Sequence, residues 1–200
     1  MSVSSARSST APPNSVTTRI ALLRGINVGG RHKVPMKELT ALFVRLGATR
    51  VQTYIQSGNV VFSGLEAETA SSLSTHLTDA FGFEVPVVLR DAASLRLRVA
   101  ASPFAAFPAA EPLPDGKVPE AHHLAFCDAA PHSPGEPDAY LPDRFALAEG
   151  GPPDVFLYAP KGLGKTRLDA TFMRRLKVPT TVRNMRTVQA LIELAASFEG

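Results

Sequence analysis

The first ninety residues carry two kinds of hydrophobic pattern in a regular order. Short runs rich in apolar and β-branched residues, typical of strands, cover 20–23, 51–56, 59–62 and 85–89. A glycine follows each of two stretches whose apolar residues are spaced as in amphipathic helices, 36–46 and 66–81. The order β-α-β-β-α-β predicts an α+β fold that begins with a ferredoxin-like split βαβ. Both helices should lie on one face of an antiparallel sheet.

The pattern after residue 90 is less regular. Asp91 is placed to cap a linking helix that reaches about Ala101, and a proline-rich segment follows it. Short strand patterns then appear at 123–126, 145–147, 154–158 and 180–183. Thr166 with Asp169, and Asn184, are placed to cap two further helices. We therefore expect a second, less regular α+β subdomain, which would form a second plait in tandem with the first.

These patterns divide the chain into four parts. We expect a tail at 1–18, the ferredoxin-like subdomain at 19–90, a linking helix and Pro-rich segment at 91–121, and the second subdomain at 122–200. The tail is rich in Ser, Thr and Pro, so we expect it to be disordered and to add nothing to stability. The predicted core comprises Leu22, Leu39, Phe43, Leu46, Leu73, Leu77, Val87, Phe156, Phe172, Leu176, Leu191 and Ile192.

Composition narrows the class of protein. Of 200 residues, 44% are hydrophobic and 20% are charged, as in ordinary globular domains. No apolar run approaches the roughly 18 residues that a membrane helix needs. The single cysteine, Cys127, excludes an internal disulfide and a cysteine metal cage. We therefore expect a cytoplasmic protein that works without a cofactor, a metal or a membrane.

The net charge of +3 conceals a strong segregation of charge along the chain. Residues 19–65 hold seven basic side chains and one acid, and residues 66–154 hold fourteen acids and five basic side chains. Residues 155–200 hold eight basic side chains and three acids. Two basic regions of this kind would attract a polyanion such as nucleic acid. The alternative is that the charges are scattered over ordinary solvated surfaces.

A glycine-rich loop follows the first predicted strand and precedes the first helix. In Gly25-Ile-Asn-Val-Gly-Gly30, Asn27 stands where a dinucleotide-binding fingerprint needs its second glycine, and a hairpin follows instead of a parallel βαβ unit. Backbone N–H groups beside basic side chains favour an anion-binding site here. Its predicted residues are Arg24, Asn27, Gly29, Gly30, Arg31 and Lys33. Alternatively, the loop is a tight turn in which Asn27 satisfies backbone groups.

Two further basic motifs are secondary candidates. Lys161-Gly-Leu-Gly-Lys-Thr166 resembles the end of a P-loop, but Ala159 replaces the required glycine and no later strand ends in aspartate. The motif could still hold a phosphate-sized anion, or Thr166 could act only as a cap. In Arg183-Asn-Met-Arg186 the arginines would grip an anion or pair with the acidic middle segment. The secondary site residues are Lys165, Arg167, Arg183, Asn184 and Arg186.

Several of these motifs occur together in a known bacterial family. Ala21-Leu-Leu-Arg-Gly-Ile-Asn-Val-Gly-Gly30, Thr53-Tyr-Ile-Gln-Ser-Gly-Asn-Val-Val-Phe62 and Thr181-Val-Arg-Asn184 resemble motifs of the domain of unknown function 1697 family. The resemblance extends over roughly 19–196. It implies a two-subdomain α+β fold with ferredoxin-like character, and it implies no activity. Met185 departs from the aromatic residue that members often carry after the Arg-Asn pair.

The residues favour binding over catalysis. His122 and His123 with Cys127 lack the spacing of a zinc site, and no Gly-x-Ser-x-Gly motif is present. We expect non-enzymatic binding of an anionic ligand or nucleic acid through the basic loops. Two alternatives stay open, an enzyme acting on a small anionic metabolite at the cleft between subdomains and a protein-interaction module.

The position of the hairpin tip at 57–59 decides whether one small ligand could contact both this tip and the glycine-rich loop. We expect this tip at the opposite end of the sheet from the glycine-rich loop, because several strand residues would separate them. One small ligand would then not touch both. The first strand also lacks the aromatic residues on which an RNA-binding plait stacks bases. Any nucleic acid would therefore have to bind through the basic loops.

Overall fold

The structure is a computed structural model that describes residues 17–199. Positions 1–16 of the predicted tail lie outside the described residues. Thr18, predicted as the last residue of the tail, is instead the first residue of strand β1 (Thr18–Leu23). It is buried, and its hydroxyl lies 3.1 Å from the hydroxyl of Ser63. The local pattern missed this residue because its partner is 45 positions away in the chain.

Strands and helices follow one another closely in the described chain. The first half contains β1, α1 (Met36–Arg45), β2 (Arg50–Tyr54), β3 (Asn59–Ser63), α2 (Ala70–Phe81) and β4 (Val87–Asp91). The linking helix is α3 (Ala92–Ala100). The second half contains β5 (His122–Cys127), a 3-10 helix (Pro137–Tyr140), β6 (Arg144–Leu147), β7 (Val155–Tyr158), a 3-10 helix (Leu163–Lys165), α4 (Ala170–Arg175), β8 (Thr180–Asn184) and α5 (Met185–Glu199).

The first half forms a four-stranded antiparallel sheet in the order β2-β3-β1-β4. Helices α1 and α2 cover the same face of this sheet. Phe43 of α1 and Leu73 and Leu77 of α2 belong to one buried cluster with Phe62 of β3. The predicted α+β class is confirmed, because the periodicity of each segment matches the face that the segment buries.

The second half repeats the strand order of the first. Its antiparallel sheet runs β6-β7-β5-β8, so β5 and β7 take the central positions that β1 and β3 hold in the first sheet. The short 3-10 helix 137–140 stands between β5 and β6, where the first sheet has α1. Helix α4 lies between β7 and β8, as α2 does between β3 and β4. The second half is therefore α+β as well.

The two halves share a core. Ile20 and Leu22 of β1 are fully buried and belong to one cluster with Leu124 and Phe126 of β5. Residues of α3 and α5 complete this cluster, among them Leu95, Val188 and Leu191. The face of the first sheet that α1 and α2 leave free is thus covered by the second half. An RNA-binding plait needs that face open for base stacking.

Side-chain caps account for the starts of four helices, α2 among them, which Thr69 caps by accepting from Ser72 N. Asp91 caps α3 by accepting a hydrogen bond from Ser94 N at 2.7 Å, and Asn184 caps α5 by accepting one from Thr187 N at 2.8 Å, both as predicted. The predicted Thr166–Asp169 capping pair is wrong. Asp169 alone caps α4, while the Thr166 hydroxyl accepts a hydrogen bond from Leu168 N.

None of the helices in the described part of the chain is long and apolar enough to cross a bilayer.

All but two of the predicted core residues are buried. The exceptions, Leu46 and Ile192, are half-buried at the edges of their clusters. Leu46 is the C-cap residue of α1, beyond its last regular turn, whereas Leu42 lies one turn earlier and is buried.

We expect Leu42→Ala to lower the free energy of unfolding by about 2–5 kcal/mol, because a cavity forms in a closed cluster. Leu46→Ala serves as the matched control and should cost about half as much, since solvent already reaches its side chain. Urea unfolding of both variants measures the difference. Equal losses would contradict the assignment of the buried face of α1.

Candidate anion-binding site

The glycine-rich loop, residues 24–34, is closed by the side chain of Asn27. Its amide nitrogen donates to the carbonyl oxygens of Val34 and Gln56, each at 3.0 Å, and its Oδ1 accepts from Val34 N at 2.9 Å. Asn27 itself adopts a positive φ of 55°, which asparagine tolerates better than most residues. The side chain is therefore committed to the loop, as the turn interpretation had it.

The hairpin between β2 and β3 lies at the same end of the sheet as this loop. Leu23 N donates to Gly58 O at 2.7 Å, and Gln56 O accepts from Asn27. The prediction that the two motifs lie at opposite ends is wrong. Strands β1 and β2 run parallel on either side of β3, so both end at the same edge of the sheet. One ligand can therefore contact both motifs.

Gly58 is the residue that lets the hairpin pack so closely. Its φ is 78°, and a Cβ built on it would lie 2.8 Å from the Cβ of Leu23 and 3.1 Å from side-chain carbons of Ile26. A larger residue would both strain the backbone and push the hairpin away from β1. The Ser-Gly-Asn turn thus holds the hairpin against the end of β1.

Arg183 on β8 fastens this arrangement to the second half. Its guanidinium donates to Asn59 Oδ1 at 2.5 Å, to Leu23 O at 2.8 Å and to Ser57 O at 2.9 Å. These acceptors are neutral, and the side chain is buried, so burial lowers the pKa of Arg183 to about 10. In the described part of the chain, this guanidinium bonds to neutral oxygen atoms and forms no ion pair with an acid. Arg183 therefore links its own family motif, 181–184, to the other two motifs, 21–30 and 53–62.

Arg24 points to a cleft between the two halves. The cleft has a volume of about 620 Å³, and its lining includes Arg24, Met173, Arg174, Lys177, Val178 and Thr180. We call it the cationic cleft. Arg24, Arg174 and Lys177 are exposed, and no acidic side chain of the described residues lines the cleft with them. Sequence reasoning missed Arg174 and Lys177, although they belong to the basic C-terminal region.

The predicted glycine-loop site is divided between two places. Arg24 lines the cationic cleft, whereas Asn27, Gly30 and Lys33 line a smaller hollow of about 340 Å³ beside the start of α1. Gln56 of the hairpin completes the wall of this hollow. The remaining predicted residues, Gly29 and Arg31, are exposed on the loop and line neither space.

The secondary candidates do not come together. Arg167 donates from its backbone N–H to Asp143 at 2.8 Å and from its guanidinium to Ala139 O at 3.0 Å, which turns it away from Lys165. Arg186 is largely exposed and pairs with Glu120, as the acid-pairing alternative expected. Asn184 caps α5 and lines a hollow together with Lys165.

The histidines and the cysteine do not form a metal site. In the described part of the chain, no group of three or more His, Cys, Asp or Glu side chains is placed to hold a metal ion. His122 Nε2 lies 3.1 Å from Phe104 O, and His123 is buried. Burial raises the pKa of the Cys127 thiol to about 11, so the thiol is a poor nucleophile at neutral pH.

This chain is similar to known proteins in its fold and in its sequence. Its fold is similar to that of the conserved bacterial protein SP0830 from Streptococcus pneumoniae. The two share 19% sequence identity and a TM-score of 0.60, over 90% of this chain and 99% of that one. Residues 16–139 match the family model described as protein of unknown function (DUF1697), and the chain belongs to this family. No curated protein matches the chain.

Proposed function

We propose that this protein binds an anionic ligand in the cationic cleft and performs no chemistry on it. The observation that carries the proposal is the convergence of Arg24 from the first half with Arg174 and Lys177 from the second. Three cations around one cleft repel one another unless an anion lies between them. In the described residues, no carboxylate lines the cleft; Asp169 is close enough to Arg174 for their charges to interact, but it lines a different hollow beside Arg167.

Further basic side chains lie on the loop that carries Arg24. Arg31 and Lys33 are exposed on the same loop as Arg24, and the turn that presents them is held by the hydrogen bonds of Asn27. A ligand with several phosphate or carboxylate groups would thus meet basic side chains on both sides of the cleft. The hydrogen bonds that close this loop are made within the protein, so a ligand does not have to supply them.

A nucleic acid would bind here through its phosphates alone. The sheet face used for base stacking is covered by the second half, and Arg24, Arg174 and Lys177 are phosphate-contacting residue types. Such a complex would be insensitive to sequence and strongly sensitive to salt. A small anion would instead saturate one site with a weak salt dependence.

The enzyme alternative finds less support in the same cleft. Among the described residues, those that line the cleft offer one hydroxyl, that of Thr180, and no carboxylate, histidine or cysteine that could act as a general base. The Thr180 hydroxyl already donates to Val178 O at 3.0 Å. Binding without chemistry is therefore the function that the cleft supports best.

The experiment compares Arg24→Ala combined with Arg174→Ala against the parent protein. Pyrophosphate and a single-stranded oligothymidylate are titrated by calorimetry over a series of salt concentrations. We expect the double variant to weaken binding of the true ligand class by about tenfold or more, because two charge-assisted contacts are lost. For the oligothymidylate, each lost phosphate contact should also reduce the salt slope by about 0.7.

Arg45→Ala combined with Lys117→Ala is the charge-matched control, because both side chains are exposed and neither lines the cleft. This control should bind as the parent does. The proposal fails if the parent binds neither probe, or if the cleft variant and the control weaken binding equally. Preference for the oligothymidylate with a steep salt slope would identify nucleic acid as the ligand class.

A further inference from the structure

The loop that resembles a P-loop builds a second hollow, on the side of the second sheet. Gly162 in this loop has a φ of 73°, and a Cβ built on it would lie 2.7 Å from the Cβ of Pro119. Only glycine lets the loop approach the segment before β5 so closely. Lys161 and Lys165 both line a hollow of about 380 Å³, which we call the lysine hollow.

Polar groups of two paired strands also line the lysine hollow. His123 of β5 and Asn184 of β8 are cross-strand partners, and both line it. His123 is 8% exposed, and its Nδ1 lies 3.4 Å from Ala121 O. Its Nε2 has no hydrogen-bond partner among the described residues. Asn184 uses its Oδ1 as the cap of α5, and its amide nitrogen is likewise without a partner there.

The charge around the hollow is positive. Lys161 and Lys165 are exposed, and neither forms an ion pair within the described residues. Glu120 also lines the hollow, but its carboxylate pairs with Arg186. Asp115, which lies close enough to Lys165 to feel its charge, pairs with Lys117 at 3.0 Å. Within the described residues, the acids near this hollow are thus paired with Arg186 and Lys117, whereas Lys161 and Lys165 form no ion pair.

We propose that the lysine hollow binds a small organic phosphate monoester. The phosphate oxygens would accept hydrogen bonds from Lys161, Lys165 and the amide of Asn184. The hollow is several times larger than a phosphate group, and its remaining lining includes Leu113, Pro119 and Leu163. An apolar body attached to the phosphate would lie against these three residues. This site shares no residue with the cationic cleft.

The test uses phenyl phosphate as the probe, with inorganic phosphate for comparison. Each is titrated into the full chain by calorimetry, and amide chemical shifts locate the bound probe. We expect saturable binding of phenyl phosphate with shifts at 161–165, and weaker binding of inorganic phosphate. Lys161→Ala combined with Lys165→Ala should weaken phenyl phosphate by about tenfold or more, since two charge-assisted contacts disappear.

Asn184→Asp is the matched second variant. Aspartate is as good an N-cap as asparagine, so the start of α5 is preserved while the amide donor becomes a carboxylate. This variant should keep the melting temperature of the parent and lose phenyl phosphate binding. Undiminished binding in the two variants would overturn the proposal.

Three further results would overturn the proposal. One is loss of phenyl phosphate binding in the Arg24→Ala, Arg174→Ala variant alone, which would place the probe in the cationic cleft. Another is the absence of saturable binding to the parent. Equal binding of the two probes would show that no apolar body is recognised. Pyrophosphate or oligothymidylate binding at the cationic cleft is a separate result, so either proposal can fail alone.

Discussion

Replacing Asp154 by asparagine is expected to lower the free energy of unfolding by about 3–5 kcal/mol. Asp154 is 1% exposed and is the acidic partner of two buried arginines. Its Oδ1 lies 2.6 Å from Arg90 on β4, and its Oδ2 lies 3.6 Å from Arg98 on α3. The substitution keeps the shape of the side chain and leaves two buried cations without a counter-charge.

Urea unfolding monitored by circular dichroism measures the loss. Asp138→Asn is the matched control, because Asp138 is the exposed partner of Arg144 at 3.9 Å. We expect the control to change stability by less than about 1 kcal/mol, since surface ion pairs are worth little. If Asp154→Asn lowers the free energy of unfolding no more than Asp138→Asn does, then neutral carbonyl groups alone hold Arg90 and Arg98 in place.

Arg183→Met is expected to lower the free energy of unfolding by about 2–4 kcal/mol. The substitution leaves Leu23 O, Ser57 O and Asn59 Oδ1 without the guanidinium to which they are bonded. Unsatisfied buried acceptors cost about 1–3 kcal/mol each, and relief from burying an unpaired cation offsets part of this sum.

Arg186→Met provides the control, because Arg186 is 78% exposed at the start of α5 and its acidic partner Glu120 is only half-buried. We expect it to cost less than about 1 kcal/mol. Hydrogen exchange should also become faster at the hairpin amides 56–59 in the Arg183 variant and stay unchanged in the control. A fully stable Arg183→Met protein would mean that burying this cation costs as much as its hydrogen bonds contribute.

Both predictions concern cations that join the two halves. Arg183 holds the end of β1 and the hairpin from β8, and Asp154 of the second half draws in Arg90 and Arg98. Buried polar links of this kind specify one arrangement of the halves, because any other arrangement leaves charges or carbonyl groups unsatisfied. The cationic cleft depends on that arrangement, since its two walls come from different halves.

Much of the secondary structure could be predicted from the sequence because its causes are local. Helix α2 has the predicted end at Phe81, where Gly82 takes the left-handed conformation that a C-cap needs. Asp91 and Asn184 cap helices as predicted, since a cap requires only a side-chain oxygen and a free N–H three residues on. Thr166 failed as a cap because a 3-10 turn over Leu163–Lys165 delays the start of α4.

The candidate site was only partly predictable, because its residues meet through tertiary packing. Arg24 was predicted, but its neighbours Arg174 and Lys177 are about 150 positions away and meet it only when the halves pack together. Arg167 was predicted beside Lys165, yet Asp143 and Ala139 draw it elsewhere. A local sequence pattern indicates which face of a helix or strand is apolar. It does not indicate which distant residue will accept a hydrogen bond from a long basic side chain.

Arg183 shows most clearly the difference between what local sequence predicts and what tertiary packing decides. Its sequence context predicted an arginine that grips an anionic ligand or pairs with an acid of the middle segment. The tertiary structure instead surrounds it with neutral acceptors from the end of β1 and from the hairpin, more than 120 positions away. The sequence by itself determined the strands, helices and most of the core through periodicity. Only the packing of one half on the other decided which basic residues hold the fold together and which are left to bind a ligand.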